Sequence, residues 1–220
     1  MAIADKLQSV QAKIEKAALE TGQKTVKTQL VAVSKTRPVE DVMAAFSAGQ
    51  KVFGENRVQE AVEKFSFLKK MQTDLELHLI GPLQSNKVKE AVRLFDVVQT
   101  VDRPKLAAAL AKEMQVQQRF PRLFVQVNVG EEPQKSGVLP TELDDFLGLC
   151  REEHDLTVAG LMCIPPFDEE PAPFFLMLKQ LARQYDVPLL SMGMSADFET
   201  AVQFGADYVR VGGAIFGARS

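Results

Sequence analysis

Leu30-Val31-Ala32-Val33-Ser34-Lys35 is an apolar run of strand length that ends on a lone lysine, and residues 39–48 behind it repeat their apolar positions at spacings of three and four. A strand feeding a helix is the opening of a βαβ unit. The same succession recurs to the end of the chain. Runs at 51–53, 77–80, 97–99, 123–129, 157–163, 189–191 and 208–211 read as further strands, and 58–69, 106–115 and 174–185 as helices between them. Such alternation makes parallel strands with helical crossovers. About eight units fit, and ~220 residues is near the lower limit for a (β/α)8 barrel, so the predicted fold is a modified α/β (TIM) barrel with short loops. An open doubly wound sheet with fewer strands is the alternative.

Ahead of the first strand, Ile3, Leu7, Val10 and Ile14 are spaced four, three and four apart among Lys, Glu and Gln. This is an amphipathic helix, where a secretory signal needs a continuous apolar stretch. No Pro-, Gly- or Ser-rich linker interrupts the chain, so residues 1–220 are expected to form one domain. Pro165-Pro166-Phe167-Asp168-Glu169-Glu170-Pro171 reads as a loop before a helix, because proline forbids regular pairing. A formal charge of −3 argues against a nucleic-acid surface, which needs Lys and Arg in clustered excess. No run approaches the ~20 apolar residues that span a bilayer. Two cysteines, Cys150 and Cys163, are too few for a disulfide framework and read as reduced thiols. A cytoplasmic protein is expected.

The unusual polar residues gather at one end of these strands. Lys35, Asn56, Gly81, Asn128, Gly193 to Ser195, and Arg210 to Gly213 fall in or just after a strand's C-terminal end, the face on which barrels build their sites. Strand parity puts Tyr208 and Arg210 on one face and Val209 and Val211 on the other, which sends Arg210 into the barrel mouth.

A lysine amine attacks a carbonyl only when deprotonated, and both desolvation and a neighbouring cation favour that form. Lys35 taken alone is equally a strand-end lysine reaching for solvent; its company gives it chemistry. Ser195 is expected to open a helix over residues 195–204, offering a hydroxyl and free amides to an anion. Gly212-Gly213 precedes a second short helical stretch whose first amides an anion can approach closely. Two such turns after the seventh and eighth strands match the place where barrels commonly bind phosphate. Arg210 either pairs with a buried carboxylate or donates to a ring nitrogen; in a pyridoxal phosphate site an arginine there favours the neutral pyridine and a weak electron sink. Together these residues suit a phosphorylated aldehyde.

Other signals are weaker. Gly81 to Lys87 lacks the Gly-Lys-Ser/Thr ending of a P-loop, Gly193 to Asp197 lacks the second glycine of a nucleophile elbow, and Cys150, His154 and Cys163 have no compact fourth ligand, so no metal is expected. His78, Asn86, Lys87, Asn128 and Lys135 each have an ordinary structural reading beside a functional one. For Asn128 the choice is between orienting Arg210 and satisfying backbone.

Ala32-Val33-Ser34-Lys35-Thr36, Gly54-Glu55-Asn56-Arg57-Val58-Gln59-Glu60, His78-Leu79-Ile80-Gly81-Pro82-Leu83-Gln84-Ser85-Asn86-Lys87, Lys135-Ser136-Gly137, Ser191-Met192-Gly193-Met194-Ser195 and Val209-Arg210-Val211-Gly212-Gly213-Ala214-Ile215-Phe216-Gly217 resemble, in order, the signatures of the pyridoxal phosphate homeostasis proteins, single-domain relatives of the alanine racemase barrel. The resemblance covers the chain beyond its first helix. It implies pyridoxal 5′-phosphate (PLP) held covalently on Lys35, its phosphate on Ser195 and the Gly212-Gly213 turn, Arg210 facing the pyridine nitrogen, and Asn56 and Met194 beside the cofactor. One position departs: Gly213 stands where the family usually carries a hydroxyl residue, leaving that phosphate contact to a backbone amide.

The function so implied is a carrier in intracellular vitamin B6 homeostasis, without catalytic residues, that yields PLP to apoenzymes and exists as a monomer or weak dimer. Alanine racemases add a tyrosine from a second domain; here Tyr185 lies in a helical stretch and Tyr208 inside the last strand, and neither is placed as a second base. The alternatives are a PLP-dependent amino-acid racemase and a Schiff-base sugar-phosphate aldolase.

Overall fold

The protein, seen in a computed structural model, is described over residues 2–22 and 26–217. Strands β1 (Gln29–Val33), β2 (Val52–Glu55), β3 (Glu76–Leu79), β4 (Val97–Val101), β5 (Arg122–Val127), β6 (Val158–Cys163), β7 (Leu189–Met194) and β8 (Tyr208–Val211) pair in chain order, all parallel. β8 returns to pair with β1, Val31 opposite Arg210 and Ala32 opposite Val211, so the barrel is closed and the open-sheet alternative falls away.

The strands are short and almost wholly buried because each is covered on both sides. Val209 and Val211 join the large apolar layer beneath the helices, whereas Tyr208 packs inside the barrel with Val31, Val97, Phe124 and Met162. This is the alternation that strand parity demands. The Phe124 ring meets Tyr208 edge-on at 5.8 Å, and burying one such side chain contributes roughly 1.5–3 kcal/mol.

Helices α1 (Ile3–Glu20), α2 (Val39–Ser47), α3 (Val58–Met71), α4 (Val88–Leu94), α5 (Pro104–Gln117), α6 (Leu143–Gly148), α7 (Ala172–Gln184), α8 (Phe198–Gln203) and α9 (Gly213–Phe216) form the outer ring. The last of these spans only four residues, and the buried stripe of α1, Leu7, Val10, Ile14, Ala17 and Ala18, packs on it and on α8 and α2, within the same apolar layer as Val209 and Val211.

One expected boundary moves. Ser195 does not open a helix; residues 195–197 form a turn and α8 begins at Phe198. The Asp197 carboxylate accepts the Met194 amide at 2.5 Å while the Asp197 amide donates to the Met194 carbonyl at 3.1 Å. Aspartate thus takes the N-cap position that sequence reading gave to serine. The loop over residues 165–171 lies before α7 as expected. Among the described residues, no helix is long and apolar enough to cross a membrane.

Candidate functional site

At the C-terminal mouth of the barrel, a cavity of about 420 Å³ is lined by Lys35, Asn56, Met194, Ser195, Arg210, Gly212 and Gly213, all seven of the residues singled out from sequence. Barrel closure brings them together: Lys35 follows β1, Asn56 follows β2, Met194 ends β7, and Arg210 lies in β8 beside β1. Val33, Thr36, Arg37, Ile80, Ile164, Ala196 and Gly217 complete the lining. Val33, Thr36, Ile80 and Gly217 lie within the motifs quoted above without having been assigned to the site, whereas Arg37, Ile164 and Ala196 fall outside them. Ile80 and Ile164 had a findable signal, because each directly follows the C-terminal end of a strand, β3 and β6.

Lys35 is half-buried on a turn closed by the Arg37 amide, which donates to the Ser34 carbonyl at 3.1 Å. Behind that turn sits a buried ionic clasp. Ser34 Oγ donates to Glu55 Oε1 at 2.7 Å, and Lys64 Nζ on α3 reaches the same oxygen at 2.6 Å and the Ser34 carbonyl at 2.7 Å. Glu60 accepts from Lys64 at 2.9 Å and from the Thr36 amide at 2.5 Å. Burial pushes the Glu55 carboxyl above its ordinary value despite the Lys64 and Ser34 contacts. Burial acts the same way on Glu60, but Lys64 and the Thr36 amide outweigh it and hold that carboxyl low. Thr36 is held at φ +61°, a left-handed conformation that costs a β-branched residue free energy.

Across the mouth, the Gly212 amide lies 3.4 Å from Ser195 Oγ, so the two turns expected to bind an anion converge on one spot. Just before that turn, Gly193 lets α8 pack closely on β7. It adopts φ +90°, and a Cβ there would strike the Ala201 methyl at 2.4 Å. Gly81 has a similar role for Asn56, since a Cβ on it would lie 2.3 Å from the Asn56 carbonyl oxygen.

Arg210 is 4% exposed, and it makes no ion pair with a carboxylate among the described residues. Nη1 donates to Ser191 Oγ at 2.7 Å and Nη2 to the Cys163 carbonyl at 2.8 Å. Burial lowers its pKa from the ordinary value, though an arginine remains charged. A cation beside the cavity disfavours protonation of a nearby amine.

The remaining candidates lie elsewhere. Asn128 does not orient Arg210; its Nδ2 donates to the Glu132 carbonyl at 2.9 Å and its Oδ1 accepts the Glu132 amide at 3.3 Å, closing its own loop. Lys135 pairs with Glu132 and donates to the Pro165 carbonyl at 3.2 Å. Lys87 lines a neighbouring cavity of about 670 Å³ with Arg57 and Arg103, and Asn56 is common to both. His78 is fully buried inside the barrel. Cys150 and Cys163 are free and buried, with burial pushing their thiols up to about 11 and about 12. The ionisable side chains lining the mouth cavity are, among the described residues, Lys35, Arg37 and Arg210.

Fold and cavity together define a (β/α)8 barrel with its ligand site at the C-terminal ends of the strands. Residues 6–220 match the family described as Alanine racemase, N-terminal domain. A protein from Pasteurella multocida named pyridoxal phosphate homeostasis protein is 39% identical over 229 residues, covering 100% of this chain and 98% of the relative. The chain therefore belongs to the alanine racemase N-terminal domain family, within its pyridoxal phosphate homeostasis branch. The solved structure of PipY from Synechococcus elongatus with PLP bound superposes with TM-score 0.84 at 36% identity, covering 98% of this chain and 100% of that one. Alanine racemase from Corynebacterium glutamicum, 18% identical, shares the fold with TM-score 0.71 over 99% of this chain and 61% of its own.

Proposed function

We propose that this chain, as one domain over residues 1–220, holds PLP through a covalent link to Lys35 and serves as a non-catalytic carrier that keeps the reactive aldehyde sequestered and yields it to apoenzymes. The observation that carries this reading is the composition of the mouth cavity: one lysine amine, converging serine and glycine donors, and an arginine anchored on a hydroxyl and a carbonyl. That donor set fits PLP. When bound, the cofactor supplies an aldehyde that a primary amine captures with loss of water.

Each residue then has a physical task. The Glu55–Lys64–Glu60 clasp fixes the turn that presents Lys35. Lys35 presents its primary amine to the cavity that Arg210 also lines, and the deprotonated form of that amine is the one that attacks an aldehyde. Ser195 Oγ and the amides of Gly212 and Gly213 receive the phosphate, and Asn56 and Met194 bound the ring. Arg210, a permanent donor, meets an unprotonated ring nitrogen, which weakens the electron sink on which carbanion chemistry depends. Neither Tyr185 nor Tyr208 lines the cavity, so a second acid–base group opposite Lys35 has no tyrosine to supply it.

The deciding experiment is the absorption spectrum of purified protein with added PLP, followed by borohydride reduction and peptide mapping. A visible band that collapses on reduction, with pyridoxyl mass on Lys35, is the expected result; no band overturns the reading. Borohydride trapping that depends on a sugar phosphate instead would move the chain to the aldolases. The racemase alternative is tested by α-deuterium loss from amino acids. Turnover of about 1 per second or more, an ordinary enzymic rate, would replace the carrier by a racemase.

A further inference from the structure

The barrel interior contains a continuous hydrogen-bonded chain that runs from Arg210 at the mouth inward to Glu76, where a second arginine meets it from the far end. Arg210 Nη1 donates to Ser191 Oγ at 2.7 Å, and Ser191 Oγ donates to Gln99 Oε1 at 2.6 Å. Gln99 Nε2 lies 2.8 Å from His78 Nδ1, and His78 Nε2 lies 2.6 Å from Glu76 Oε1. At the far end Arg122 Nη2 donates to Glu76 Oε1 at 2.5 Å, and its Nη1 donates to Tyr208 Oη at 2.8 Å. Ser191, Gln99 and His78 are each 0% exposed, and none of them lines the mouth cavity.

The two ends dictate every direction between them. An arginine only donates, so Ser191 Oγ must accept from Arg210 and send its own hydrogen to Gln99. The Gln99 oxygen therefore faces Ser191, and its NH2 faces His78. An amide NH2 only donates, so Nδ1 must be bare and the ring hydrogen must sit on Nε2, facing a carboxylate that only accepts. Protonating Nδ1, or rotating the Gln99 amide, would set two hydrogens against each other. Barrel interiors are usually filled with bulky apolar side chains, here Val31, Val97, Phe124 and Met162. A buried polar chain costs free energy unless every member is satisfied.

We propose that Ser191, Gln99 and His78 are positioning residues that lock the guanidinium of Arg210 from inside the barrel, with the tautomer of His78 setting the polarity of the lock. The lock acts through two anchors on different strands, the Ser191 hydroxyl on β7 and the Cys163 carbonyl on β6. The carbonyl can only accept, whereas a free serine hydroxyl rotates. Gln99 removes that freedom, and His78 removes the freedom of Gln99. This inference rests on the PLP reading above, because it concerns how Arg210 is held against the cofactor ring.

The test uses the full chain loaded with PLP, comparing parent, Ser191→Ala, Ser191→Thr and Gln99→Met by absorption maximum and by PLP dissociation constant, with thermal melts to establish folding. Ser191→Ala and Gln99→Met are expected to move the visible band and weaken PLP binding about tenfold, the scale of one lost charge-assisted hydrogen bond. Ser191→Thr, which keeps the hydroxyl, is expected to restore the parent band. A folded Ser191→Ala protein with the parent's band and affinity would overturn the positioning chain while leaving the PLP site intact; a parent without any band would overturn both. Nitrogen-15 spectra of the unaltered, PLP-free protein need no variant to fold. They are expected to show His78 with Nδ1 bare and Nε2 protonated, and a hydrogen on Nδ1 would overturn the proposal.

Discussion

Lys64 Nζ lies 2.6 Å from Glu55 Oε1 with the glutamate side chain fully buried, and the pair sits directly behind the turn that carries Lys35. The second carboxylate oxygen, Oε2, has no hydrogen-bond partner among the described residues, so Lys64 is the charge that makes Glu55 tolerable. Lys64→Met is expected to cost about 3–5 kcal/mol by leaving a buried carboxylate uncompensated. Glu55→Gln removes the charge while keeping an acceptor for Ser34, and it is expected to cost distinctly less. Urea denaturation of the two variants checks the order; equal losses would mean that the clasp is packing rather than charge.

Lys35→Ala separates the covalent contribution from the anchoring one. After borohydride treatment the variant is expected to carry no pyridoxyl mass, yet to bind PLP at least about tenfold more weakly than the parent rather than not at all, through Ser195, Gly212 and Arg210. Equilibrium dialysis measures the residual affinity. Complete loss would contradict the assignment of the phosphate to those residues.

Gly213 begins α9, and a Cβ added there meets nothing within 4 Å. Gly213→Ser is therefore expected to fold normally and to add a hydroxyl at the mouth, tightening PLP retention about tenfold. The rate of PLP loss to a competing apoenzyme reads this directly, and an unchanged rate would place the phosphate elsewhere.

Burial holds the His78 imidazole below its ordinary value of 6.5, against the pull of Glu76, with Arg122 adding to the depression and Asp96 opposing it. The unfolded chain then binds more protons than the folded one below pH 6.5. Stability present above that pH is lost as the pH falls beneath it. Glu76, held low chiefly by its hydrogen bond to His78, acts below 4.5. The melting temperature is expected to drop between about pH 7 and pH 5.5, and to drop less in His78→Gln. Parallel pH profiles for the two proteins would rule out His78 as the source.

The barrel was legible because its strands are nearly continuous apolar runs punctuated by helical spacing, and the mouth was legible because Lys35, Asn56 and Arg210 are polar residues where such runs end. What stayed hidden depends on the third dimension. Ser191 and Gln99 look like isolated polar interruptions of β7 and β4, and only closure of the barrel brings them within 2.6 Å of each other. Glu55 reads from sequence only as part of a motif, because its partner Lys64 lies on the following helix and reaches it only once α3 packs on the barrel. Ser195 falls short of the helix because Asp197, two residues on, closes a turn back onto Met194 and α8 starts only after it.

The pairing of β8 with β1 places Val31 opposite Arg210 and Ala32 opposite Val211, so the site straddles a seam between segments separated by nearly the whole chain. A partly folded molecule that has built only its first seven strands owns Lys35 and Ser195 but not the β8 arginine or the Gly212 amide. Its lysine then offers an amine with only part of the set of groups that retain a ligand. Anything bound across the mouth fastens the seam shut, because it touches both of its edges, and ligand occupancy becomes a report that the ring has been completed.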